Sequence, residues 1–249
     1  MFLNKRRFFA VTCIAAVASI AAAAFAFPGQ AACVVVETAG LHTLNDGLLT
    51  DSALQADHLR YSQLVGDARA RIQATFGAVK SKPILVFFNG MGIGPFKLNS
   101  HGSTQMIGSR TCVMIGPEGQ SVDVVAHELM HSELHYRAGA LQVPVWFDEG
   151  VAMQVDHRDR YTLSAQKNGH SDCVRALATA SSFFVADDEV LTRNYACAKE
   201  VVASWVARTG SAALYPRLDA LKNGAPFAKV FPEQELSLRS SESLPAAGP

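Results

Sequence analysis

An α+β fold, with a mixed first half and a helical second half, is what the sequence predicts, on three observations. Short apolar runs bounded by Gly and Pro occupy residues 83–115. Capped apolar stripes at helical spacing follow from Ser121 onward. No internal repeat interrupts them. At 249 residues the chain can bury a substantial core, in one large domain or in two lobes sharing a cleft. Apolar residues make up 49% and charged residues 18%, with 22 Lys+Arg against 22 Asp+Glu. This balance excludes a disordered chain and a polybasic nucleic-acid binder.

Lys5, Arg6 and Arg7 precede an apolar run from Phe8 to Phe27, and Pro28, Gly29, Ala31 and Ala32 follow, which is the layout of a secretory signal peptide. Cleavage after Ala26 satisfies the small-x-small preference through Ala24 and Ala26 and takes the net charge from 0 to −3. The expected location is therefore secreted or periplasmic. Two other readings stay open: an uncleaved anchor, since about 20 apolar residues span a bilayer, and a lipoprotein with Cys33 lipidated. Against the second, Gln30 stands where a large aliphatic residue is usual. Membrane contact is expected only in those two cases.

Cys13 falls in the leader, leaving Cys33, Cys112, Cys173 and Cys197, an even number in a chain bound for an oxidising compartment. Of three possible connectivities, Cys33–Cys112 with Cys173–Cys197 is expected, because it ties the N-terminal extension to the strand region and staples two neighbouring helical segments. No spacing suggests a thiolate metal site.

From Asp51 to about Phe76, Leu54, Leu59, Leu64, Val65 and Ile72 recur at roughly helical intervals and predict one or two helices. Pro83 opens the unbroken apolar run Ile84–Phe88, a buried strand, and Gly90–Pro95 reads as a loop. Thr104–Ile107 and Thr111–Ile115, separated by Gly108-Ser109-Arg110, read as a hairpin. Ser121 then caps a helix to about Tyr136, with Asp123 in its first turn, an apolar stripe of Val122, Val125, Leu129 and Leu134, and Gly139 beyond its end. Pro144 opens a second helix to about Asp156. Helical patterns cover Ser171–Ala180, Thr192–Arg208 and Ser211–Lys222, and residues 236–249, rich in Ser, Pro and Ala, are expected to be disordered.

The informative residues are His127-Glu128-Leu129-Met130-His131, an HExxH pattern on the Ser121-capped helix. Positions four apart share a helix face, so both imidazoles can reach one metal ion while Glu128, one position along, points at the water such an ion activates. A water-activating site needs a third protein ligand and an open fourth position. A histidine six residues after His131 would supply it in one zinc-peptidase class, but that position is Arg137. Instead Trp146-Phe147-Asp148-Glu149-Gly150-Val151-Ala152 follows, with Glu149 eighteen residues beyond His131.

On these two motifs the chain resembles the gluzincin zinc metallopeptidases, the clan of thermolysin and aminopeptidase N, whose HExxH helix precedes a glutamate ligand in a W-x-x-E-G-x-A setting. The resemblance covers about Lys82 to Phe231 and is strongest from Val122 to Asp156. It implies a zincin-like fold of two lobes, a mixed sheet with the active-site helix and a helical lobe, and a catalytic domain at 81–235, which leaves 1–26 as signal peptide, 27–80 as N-terminal extension with helices and 236–249 as disordered tail. It implies one Zn2+ ion held by His127, His131 and Glu149, with Glu128 as general base. Tyr195-Ala196-Cys197-Ala198-Lys199-Glu200-Val201-Val202 is similar to the helix on which aminopeptidase-N-like members carry a tyrosine that hydrogen-bonds the oxyanion, implying that role for Tyr195.

The expected activity is hydrolysis of a peptide or protein substrate. Aminopeptidases of the clan hold the free amine with a glutamate in an upstream loop, yet no Asp or Glu occurs between Asp67 and Glu118, which favours an endopeptidase. In this clan a strand edge before the HExxH helix pairs with extended substrate, and the resemblance implies that role for Thr104–Ile107 or Thr111–Ile115. Asp148 is expected to face solvent or to back the site, Asp156 and Glu133 are candidate partners of the zinc histidines, and His135 reads as a surface residue or one backing the site. His101 is a candidate cleft residue, and His42, His58, His157 and His170 have no ligand spacing. Two alternatives stay open: a catalytically silent gluzincin-like binding module, and a zinc hydrolase of a non-peptide amide.

Overall fold

The computed structural model describes residues 27–45, 47–90, 92–93, 96–139, 143–162, 174 and 177–236. Residues 1–26, half of the expected helix Ser171–Ala180, and the tail 237–249 lie outside the described residues, as do Cys173 and His170, and residues 177–179 of that expected helix are not helical. The chain is α+β and forms two compact units that alternate along the sequence. One comprises the residues up to Ser62 together with Pro83–Gln120, the other Gln63–Lys82 together with the residues from Ser121 onward.

The first unit holds α1 (Pro28–Val35) and seven strands: β1 (His42–Asn45), β2 (Leu48–Thr50), β3 (Ile84–Phe87), β4 (Gly92–Ile93), β5 (Phe96–Lys97), β6 (Gly102–Ile107) and β7 (Arg110–Ile115). Five of them make a mixed sheet in the order β1-β2-β3-β7-β6, parallel at β2–β3 and β3–β7 and antiparallel at its two ends. β3 is central and covered on both faces, which explains its unbroken apolar run: Leu85, Val86 and Phe87 are all buried. The expected hairpin is β6–β7, and its turn uses Gly108 at φ +60°, a conformation that disfavours side chains. β7 is paired on both sides, so Thr111–Ile115 has no edge to offer a substrate strand, whereas Thr104–Ile107 lies in the edge strand β6.

Gly90–Pro95 is not wholly a loop, because Gly92–Ile93 pairs antiparallel with Phe96–Lys97 and buries Ile93 in the core. Gly29 of α1 lies so close to β6 that a Cβ would meet the Gln105 side chain at 2.8 Å. Cys33 of α1 and Cys112 of β7 form the expected disulfide across 79 residues of chain. A disulfide of this kind fits folding in an oxidising compartment. Cys197 is also disulfide-bonded, and the partner expected for it, Cys173, is outside the described residues.

α2 (Gln55–Phe76) is one continuous helix. Its buried positions are Tyr61, Ala68, Ile72 and Phe76, while Leu54, just before it, and Leu59 are exposed, so the stripe expected from the leucines is displaced by the small and aromatic side chains.

In the helical unit, α3 (Val122–Ala138) starts at Ser121, whose hydroxyl accepts from the Val124 amide at 3.3 Å, and ends at Gly139 with φ +79°. α4 (Val145–Ala152) follows Pro144 and stops four residues short of the expected end. α5 (Ala180–Phe183), α6 (Asp188–Thr209), α7 (Leu214–Lys222), α8 (Phe227–Val230) and α9 (Glu233–Leu236) complete it. α6 begins a turn earlier than the apolar pattern suggested, because the Asp187 carboxylate caps the Val190 amide at 2.9 Å. Phe147 of α4 packs on Phe231, Phe227 and Trp205 at ring-centroid distances of 4.5, 5.1 and 6.3 Å. Beside it Gly150 lets α4 touch α6 closely: a Cβ there would stand 2.5 Å from the Ala198 carbonyl oxygen. Among the described residues, no helix is long and apolar enough to cross a membrane.

Candidate metal centre

α3 carries His127, Glu128 and His131, and α4 carries Asp148 and Glu149. The helical four-residue spacing turns both imidazoles to one side, and all of these except Asp148 are buried. The Nε2 atoms of His127 and His131 are 3.1 Å apart, and Glu149 Oε2 lies 3.3 Å from the first and 3.5 Å from the second. That oxygen is buried without a hydrogen-bond partner. Three ligand atoms thus converge on one point, and the group His127, His131 and Glu149 could hold a metal ion.

The opposite edge of each ring meets a carboxylate. His131 Nδ1 lies 2.7 Å from Asp148 Oδ1, so the ring nitrogen donates to an acceptor and leaves Nε2 free to ligate. His127 Nδ1 is 3.4 Å from the fully buried Asp156 Oδ2, within ion-pair range but longer than a well-formed hydrogen bond. Asp156 is held in turn by the Arg158 guanidinium at 2.5 and 2.9 Å and by the Arg158 amide at 3.1 Å.

Burial alone would strip protons from the histidines, but Asp156 and Glu149 outweigh it and push His127 up to about 9. Asp148 and Glu149 likewise raise His131. Burial would raise Glu149, yet the neighbouring charges of His131 and His127 pull it down to about 2. Asp148 and Asp156 are held well below the usual carboxylate range despite their burial, the first by His131 and His135, the second by His127 and Arg158. The pocket is therefore anionic enough to require cations, either protons on the imidazoles or a metal ion in their place.

Tyr195 of α6 has its ring 6.2 Å from that of His127, and it packs on Phe183 and Tyr161 at 5.1 and 5.2 Å. Burial raises the phenol well above its ordinary value, and the charges of Glu149 and Glu128 raise it further. This keeps the phenol protonated, as a hydrogen-bond donor must be.

Of the two expected partners of the histidines, Asp156 faces His127. Asp148 backs the site rather than facing solvent, with His131 and His135 on its two oxygens. Glu133 does not back the metal centre. Its carboxylate accepts the Lys80 and Ser81 amides at 2.8 and 2.7 Å and the Arg137 guanidinium at 2.5 Å, tying α3 to residues 78–81 of its own unit. His101 belongs to the sheet unit, exposed beside Glu118 at 3.3 Å. Sequence reasoning missed Arg158. Its position two residues after Asp156 was the available signal, since a buried carboxylate calls for a nearby cation. No protein-family model and no curated protein matches the chain.

Proposed function

We propose that the protein is an exported zinc-dependent metallopeptidase, acting as an endopeptidase on peptide or protein substrates. The observation that carries this reading is the triangle of two imidazole nitrogens and one carboxylate oxygen, 3.1, 3.3 and 3.5 Å on its sides. Bonds of about 2.0–2.1 Å at a tetrahedral angle put ligand atoms about 3.3–3.4 Å apart, and two histidines with one glutamate are a familiar donor set for catalytic zinc.

When bound, zinc would supply Lewis acidity to a carbonyl oxygen and to water. The rest falls to side chains. Glu128, next to His127 and buried, takes the proton of the attacking water and passes it to the leaving amine. The protonated Tyr195 phenol donates to the oxyanion that develops as the carbonyl carbon becomes tetrahedral. Asp148 and Asp156 hold the two imidazoles in orientation. The lack of acidic residues between Asp67 and Glu118 supports an endopeptidase over an aminopeptidase, and the Cys33–Cys112 disulfide supports export.

The test is metal content and casein cleavage by the chain from Phe27 onward, beside Glu128→Gln. Stoichiometric zinc in both, with cleavage only by the parent, is the expected result. Zinc in both without cleavage favours a binding module or the hydrolysis of another amide, and a folded protein without zinc overturns the site.

A further inference from the structure

The helix face that presents His127 and His131 carries a third histidine one turn further on, His135. Its Nε2 lies 2.9 Å from Asp148 Oδ2, while the other oxygen of the same carboxylate, Oδ1, lies 2.7 Å from His131 Nδ1. A carboxylate at this distance accepts, so the Nε2 proton of His135 is the donor. The other nitrogen of His135, Nδ1, is buried and makes no hydrogen bond, which leaves Asp148 as the anchor of that ring.

We propose that His135 is a positioning residue for the metal ligand His131, acting through Asp148. This rests on the reading of His131 as a ligand. An Asp carboxylate turns easily about its last torsion, whose energy profile is broad. Fixed at Oδ2 by His135, it presents Oδ1 to His131 in one orientation, which sets both the tautomer and the tilt of that ring. Asp148 and Glu149 are neighbours on α4 and approach the same imidazole from its two sides, at Nδ1 and at Nε2. His135 therefore closes a clasp in which α4 holds His131 by two adjacent carboxylates and α3 steadies the outer one.

Side-chain geometry gives the test its control. The amide nitrogen of Gln can reach the place of an imidazole Nε2, whereas that of Asn stands near Nδ1 and falls short. Zinc affinity is measured by competition with a chromophoric chelator for the parent, His135→Ala, His135→Asn and His135→Gln, with metal-free melting curves to establish folding. Loss of a group that orients a metal ligand costs roughly 10- to 100-fold in affinity. The expected result is a loss of about tenfold or more in the Ala and Asn variants and near-parent binding, within about threefold, in the Gln variant. Unchanged affinity in the Ala variant overturns the proposal, and so does a Gln variant as weak as Ala, which would assign His135 to packing. If the Ala variant does not fold, the contrast between Gln and Asn decides. A parent that binds no zinc overturns the reading of the site itself, whereas parent binding with indifferent variants removes only the role of His135.

Discussion

The Nε2 of His127 stands 3.1 Å from the Nε2 of His131, a separation at which two N–H groups cannot face each other. Without a metal, protons are retained there only because carboxylates surround the pair. The sign of the resulting pH dependence is fixed. His127 has its folded value raised from 6.5 to about 9, so its contribution to the stability of the metal-free protein is complete below 6.5 and lost as pH rises through about 9. A zinc ion held there would have to displace these protons and would bind more weakly as pH falls. Thermal melts with and without zinc should show a larger increase in Tm at about pH 9 than at about pH 6; an increment independent of pH would contradict the protonation described.

Gly150→Ala and Gly66→Ala should act in opposite directions. A Cβ at Gly150 collides with the Ala198 carbonyl at 2.5 Å and Val202 Cγ2 at 2.6 Å, so α4 must shift beside Glu149. We expect a loss of roughly 1–3 kcal/mol together with weaker zinc binding. At Gly66, within α2, a Cβ meets nothing within 4 Å, and alanine should stabilise by about 0.5–1 kcal/mol. Urea denaturation of both variants checks the pair.

Tyr195→Phe keeps the ring packed on Phe183 and Tyr161 and removes only the phenol donor. Zinc content and melting temperature should match the parent while kcat falls about a hundredfold, the usual effect of losing one oxyanion donor. A drop confined to KM would place Tyr195 in ground-state binding instead.

Removing the disulfide as Cys33→Ala with Cys112→Ala releases a constraint spanning 79 residues. Chain entropy puts this at roughly 4–5 kcal/mol. Equilibrium unfolding of the parent with and without reductant, compared with the double variant, should show the reductant destabilising the parent and leaving the variant less affected.

The parts of the fold legible in the sequence are those where one local rule acts alone. Ile84–Phe87 is unbroken and apolar because a central strand is covered on both faces, and α3 declares itself by a Ser cap, a stripe and a terminal Gly. β1 has the sequence His-Thr-Leu-Asn and is mostly exposed, so no alternation marks it; only its antiparallel pairing with β2 does. α1 continues the apolar composition of residues 8–27, which hides its start at Pro28. In the metal centre, the spacing of His127 and His131 and the setting of Glu149 could be read directly. The roles of Asp148, Asp156, Arg158 and His135 could not, since they depend on the contact of α3 with α4 and on the turn after Ala152, both set by tertiary packing.

The buried Glu133 has a practical corollary for anyone wishing to miniaturise this protein. Its amide donors, Lys80 and Ser81, arrive from a stretch of sequence separated from α3 by the strands of the other unit, and Asp123 relies in the same way on Arg71 at 2.5 Å. A gene fragment starting at Ser121 would keep His127, His131 and Glu149 yet strand an acid in the interior with two of its three donors deleted. Dissection of the helical half therefore has to proceed by splicing residues 63–82 back onto it, and simple N-terminal truncation is expected to yield insoluble material.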